Sequence, residues 1–119
     1  MTTWSSRLIR AWPVLLVSIL LGALILPVVN IQLRLWRNGA IATRLVHSLR
    51  TQFPEAKFRG NVSYERELVY INVLSELAPE RRRDVEQFLR RLKAEQGIAA
   101  AIWLWFPENI GQAKDAIII

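Results

Sequence analysis

The stretch AWPVLLVSILLGALILPVV, Ala11 to Val29, carries no charge and a single hydroxyl, Ser18, and it limits what the rest of the chain can be. A helix needs about 20 mostly apolar residues, at about 1.5 Å of rise each, to cross the hydrocarbon layer of a bilayer. The stretch meets that requirement once Ile31 and Leu33 are counted at its end, so a transmembrane helix is expected over 11–36. Trp12 and Trp36 bracket it at the two levels where indole rings sit among lipid headgroups. The run is too long for a cleaved signal, whose apolar region takes about 7 to 15 residues and ends on small side chains. Pro27, Val28, Val29, Asn30 and Ile31 offer no such site. As a buried helix of a soluble protein it would need a larger core than the remaining residues supply. Pro13 and Pro27 fall near its ends, where a missing N–H costs least, and Ser18 with Gly22 makes one small-xxx-small pair without a GxxxG partner.

The chain has 119 residues, room for this span and one small domain. Its 16 Lys and Arg exceed its 10 Asp and Glu, for a net charge of +6, and most of the basic residues are arginine, which favours bidentate anionic partners. With no cysteine, disulfides, thiolate metal sites and cysteine nucleophiles are excluded. Residues 1–10 form a basic tail with Arg7, Arg10 and Trp4. Arg34, Arg37 and Arg44 follow the span and outnumber the basic residues before it, which by the positive-inside rule leans toward a cytoplasmic C-terminal domain. The same three arginines are placed to reach anionic headgroups at the membrane surface.

Asn38-Gly39 reads as a breaker, making 37–39 a linker before a small domain over 40–107. Ile41, Leu45 and Leu49, widened by Ala42 and Val46, form the apolar stripe of a helix that Phe53-Pro54 closes. Alternation then predicts a strand over 56–64, with Phe58, Gly60 and Val62 facing one way and Lys57, Arg59 and Asn61 the other. A second strand over 68–74 sets Val69, Ile71 and Val73 against Leu68, Tyr70 and Asn72, and Glu65, Arg66 and Glu67 form the turn between them. Pro79 and Glu80 mark a helix start, Val85, Phe88, Leu89 and Leu92 its buried stripe, and Gly97 its stop. Ile98 to Phe106 alternates as a third strand, with Trp103 and Trp105 opposite Ile102 and Leu104. Residues 108–119 are a tail ending in three isoleucines that add an edge strand, dock on a partner or fray.

The expected fold is therefore α+β: one N-terminal transmembrane helix, then a two-layer helix-strand-strand-helix-strand domain whose three-stranded sheet carries both helices on one face. The other face presents Tyr70, Trp103 and Trp105 with Lys57 and Arg59, too apolar to stand open in water. A partner, a second copy, lipid or the chain's own tail is expected over it. This element order resembles BON domains, which are linked with phospholipid-facing or envelope roles, and the ferredoxin-like cytoplasmic domains of cation transporters. The likeness is topological and implies a fold, not a function. The BON glycine pattern is absent at Val73, Leu74 and Ser75, and the transporter domains' metal-ligand clusters have no counterpart.

No catalytic constellation is visible. His47 has no carboxylate three or four residues away to orient it, and the pairs Glu65/Glu67 and Glu76/Glu80 read as a solvated turn and a helix start. No phosphate loop, dinucleotide fingerprint or metal motif occurs, so no catalytic residue, metal or cofactor is expected. Arg81, Arg82, Arg83, Arg90, Arg91 and Lys93 lie on a helix, in the other layer from Trp103 and Trp105, which speaks against nucleic acid. The expectation is a non-enzymatic single-pass accessory or scaffolding subunit. Its partners are the bilayer and either other membrane-protein subunits or a second copy. The alternative is a module that binds anionic phospholipid headgroups through its arginines.

Overall fold

The computed structural model describes residues 3–119, with side chains from Ala11 onward. The side chains of the basic tail, Trp4, Arg7 and Arg10 among them, lie outside the described residues. The elements are helix α1 (Thr3–Gln52), strands β1 (Phe58–Val62) and β2 (Leu68–Val73), helix α2 (Pro79–Gln96), and strands β3 (Ala101–Trp105) and β4 (Ile117–Ile118). The chain divides into two compact units between Leu33 and Arg34.

In the first unit, α1 is long and apolar enough to cross a membrane. Val14, Ile19, Leu24 and Leu26 are all more than 60% exposed, so the apolar run from Ala11 to Val29 buries none of its faces within the chain. The one hydroxyl is satisfied inside the helix: Ser18 Oγ donates to the Val14 carbonyl at 2.8 Å, leaving no unpaired polar side chain in the apolar run.

The second unit begins with the remaining turns of α1, and here the expected linker at 37–39 is corrected. The helix passes through Asn38-Gly39 without interruption, and neither residue takes the left-handed conformation that ends a helix. A glycine inside a helix costs only about 1 kcal/mol. The packing of the following stripe outweighs that cost, because Ile41, Ala42, Leu45, Val46, Leu49 and Phe53 are all buried in the core. The Gly39 carbonyl also accepts a bond from Thr43 Oγ1 at 3.0 Å.

The sheet has four strands in the order β1-β2-β3-β4, which corrects the three expected. The hairpin β1-β2 is antiparallel, β2 and β3 are parallel through the α2 crossover, and β4 lies antiparallel to β3 with Trp103 opposite Ile118. Two isoleucines carry no periodicity of their own. They are recruited by the otherwise open edge of β3, where Ile119 and Ile102 also exchange backbone bonds of 2.8 and 3.2 Å. Lys93 Nζ donates to the Ile119 carbonyl at 2.9 Å and holds the edge to α2.

One face of the sheet, Phe58, Val69, Ile71, Val73, Ile102 and Leu104, packs under the stripes of α1 and α2, including Val85 and Leu89. Helix α2 opens on Pro79 and closes on Gly97 at φ 60°, where Ile98 N–H donates back to the Lys93 carbonyl at 3.1 Å. Helix α1 approaches the sheet tightly at Gly60. A Cβ there would lie 2.9 Å from Val46 Cγ2 and 3.3 Å from the Ala42 carbonyl oxygen. Gly60→Ala is expected to destabilise the domain by about 1–3 kcal/mol through overpacking. Thermal melts of the detergent-solubilised protein check this, and adding Val46→Ala should recover part of the loss.

Candidate partner-binding surfaces

The face of the sheet away from the helices is built from two cross-strand rows. Register places Asn61, Tyr70, Trp103 and Ile118 side by side, and Arg59, Asn72 and Trp105 next to them. Tyr70 and Trp105 stack with ring centroids 5.2 Å apart. Trp103 meets both edge-on, at 6.0 Å and 5.8 Å. Such geometry stabilises a rigid cluster beyond its buried area. The tail covers part of it: Trp105 is only 7% exposed, and its indole N–H donates to the Gln112 carbonyl at 2.9 Å. Tyr70 and Trp103 remain half-buried, and Ile118 is 61% exposed beside them. Arg59 and Lys57 are exposed on this side, Lys57 just ahead of β1, where its N–H donates to Ser75 Oγ at 2.9 Å. Asn72 Oδ1 is buried on this side without a hydrogen-bond partner.

Two of the three arginines expected to face headgroups are engaged by the domain. Arg34 Nη2 donates to the Tyr64 carbonyl at 2.7 Å, and Arg37 pairs with Glu67. Both fasten α1 to the hairpin turn, which Ser63 shapes by accepting the Arg66 N–H at its Oγ, 3.2 Å away. Arg37 still leaves much of its side chain in solvent, and Arg44 is exposed. Trp36 and Tyr64 are 83% and 76% exposed, so two aromatic rings project near the Arg34 end of the unit. Trp12, in the first unit, is 68% exposed.

The basic helix is likewise largely spent on its own chain. Arg81 pairs with Glu55 at 2.7 Å and lies over the Phe53 ring, and Arg82 lies over Phe106 while reaching Glu108 and Glu76. Arg82 Nε also donates to the Leu77 carbonyl at 3.1 Å, so one guanidinium ties together the start of α2 and the tail after β3. The hydrogen bond from Arg82 holds the Glu108 carboxyl below its usual value of 4.5 and raises the Arg82 pKa. Glu55 is lowered chiefly by a backbone hydrogen bond, with Arg81 adding to it. Arg90 pairs with Glu86 at 2.8 Å.

His47 is exposed on α1. Among the described residues no group of three metal-ligating side chains comes together. Asn38, read from sequence as a breaker, is completely buried with both amide atoms unpartnered, and Arg34 Nε, four residues earlier in the helix, is likewise buried and unpartnered. Its fourfold spacing from Ala42 places it on the same stripe as the core residues, and that spacing was the signal available in the sequence. Compared with family models, curated proteins and solved structures, the chain matches none.

A carboxylate with a lowered pKa stabilises the fold above its unfolded value and loses that contribution as pH falls through the folded one. Acidification below about pH 4.5 should therefore loosen the Arg82–Glu108 tie. Glu108→Gln should lower the melting temperature slightly at neutral pH and shrink its fall on acidification. Melting curves between pH 7 and pH 3 read both effects.

Proposed function

We propose that the chain is a non-enzymatic, single-pass membrane protein that serves as an accessory or scaffolding subunit of a membrane complex. It docks through its apolar helix and the aromatic side of its sheet, with the α+β domain on the cytoplasmic side. The observation that carries this reading is the half-covered aromatic cluster. The tail covers Trp105 at Gln112 and goes on into β4, leaving Tyr70, Trp103 and Ile118 as a contiguous apolar patch rimmed by Arg59 and Asn61. An aromatic centre with a polar and arginine rim is the composition of a protein-docking surface.

The alternative, anionic headgroup binding through Arg34, Arg37 and Arg44, draws on the exposed Trp36 and Tyr64 near the same end of the domain. It has less to stand on, because Arg34 and Arg37 already serve the Tyr64 carbonyl and Glu67.

Trp103→Glu places a charge on the patch and removes its edge-on contacts with Tyr70 and Trp105, while the buried face of the sheet keeps all its residues. Tagged protein solubilised in mild detergent should bring down a stoichiometric membrane-protein partner that the variant loses. Recovery of the same material from both forms, together with salt-sensitive binding to anionic vesicles, would favour the lipid reading instead.

A further inference from the structure

The opposite edge of the sheet carries a second surface, which shares Arg59 and Asn61 with the rim of the aromatic side and is otherwise built from α1 and the backbone of β1. In the β1-β2 ladder, Ser63 N–H donates to the Leu68 carbonyl and Leu74 N–H to the Lys57 carbonyl, so the odd-numbered residues of β1 make the bonds to β2. The backbone groups of Phe58, Gly60 and Val62 therefore point away from the sheet. Two are already met from that side: Arg50 Nη2 reaches the Phe58 carbonyl at 3.5 Å, and Asn61 Oδ1 accepts the Val62 N–H at 2.9 Å. The N–H and C=O of Gly60, at the centre, face outward between them. Helix α1 overhangs this edge and leaves a groove of about 560 Å³ lined by Gly39, Thr43, His47 and Arg50 on one side and Arg59 and Asn61 on the other.

We propose that this groove binds an extended, acidic segment of a partner protein, which adds to β1 as a fifth strand. An edge strand beneath an overhanging helix supplies backbone pairing from the strand and side-chain contacts from the helix. A strand laid about 4.8 Å beyond β1 sends alternate side chains toward Thr43 and His47 and toward Arg59. The groove lining includes two arginines and no carboxylate, and that charge selects the occupant. A second copy pairing edge to edge about Gly60 would set Arg59 opposite Asn61 of the other copy and gather four arginines along one seam with no carboxylate in the groove lining to offset them. The surface therefore rejects itself and suits an acidic strand. The groove shares only Arg59 and Asn61 with the rim of the aromatic patch and uses none of Tyr70, Trp103 or Ile118.

The test uses full-length protein in detergent and a fluorescent decapeptide of alternating Glu and Val, followed by anisotropy. Saturable binding is expected. It should weaken at least tenfold for the same peptide with Lys in place of Glu, and at least tenfold when alternate amides on the pairing edge are N-methylated. Arg50→Glu/Arg59→Glu should weaken it similarly. Thr43→Trp, which fills the groove without changing its charge, should do the same, with circular dichroism confirming that both variants fold. No binding up to millimolar peptide would overturn the proposal. So would equal affinity for the N-methylated peptide, which would reveal attraction by charge alone, and so would concentration-dependent self-association abolished by Thr43→Trp.

Discussion

The domain depends on one burial event, the closure of a single sheet face under the later turns of α1 and under α2. Leu45, Leu49, Val85 and Leu89 lie on Val69, Ile71, Ile102 and Leu104, all of them at or near zero exposure. Burying side chains of this size is worth about 1.5–3 kcal/mol each. That gain carries the helix through Asn38-Gly39, admits the close approach at Gly60 and tolerates the unpaired amide of Asn38. An unsatisfied buried group of that kind costs about 1–3 kcal/mol.

Because the helices cover one face, the edges and the other face must be managed by what remains. Arginines do much of this work. Arg34 and Arg37 hold the hairpin turn, Arg81 holds the segment after α1, and Arg82 holds the segments on either side of the α2–β3 unit. Guanidinium groups suit the task, since a planar fork can stack on Phe53 or Phe106 while it bonds a carboxylate. A positive charge that reads in sequence as a surface for anions is in large part internal bracing. Arg50 and Arg59, exposed around the groove beside β1, pair with no carboxylate among the described residues.

Periodicity made most of this architecture legible. The fourfold stripe from Ile41 to Leu49, the alternation through β1, β2 and β3, and the Pro79 and Gly97 boundaries of α2 all lie where their spacing places them. The aromatic cluster of Tyr70, Trp103 and Trp105 follows from the same alternation. What could not be read was set by tertiary partners. Asn38-Gly39 looks like a stop until the burial of its neighbours is weighed, and Ile117–Ile118 becomes a strand only against the edge of β3. The cover over Trp105 comes from a backbone carbonyl at Gln112, which no side-chain pattern announces. Likewise, the roles of Arg34 and Arg37 are decided by a carbonyl and a carboxylate some 30 residues away in sequence.

Docking of the patch formed by Tyr70, Trp103 and Ile118 on another polypeptide is tested most directly in intact membranes. A photo-crosslinking amino acid at position 118, where the side chain is 61% exposed beside Trp103, probes what lies against that patch. A discrete crosslinked polypeptide is expected, and it should disappear when Trp103 is replaced by Glu. Adducts with lipid alone, or none at all, would contradict a protein-docking role for this side of the sheet.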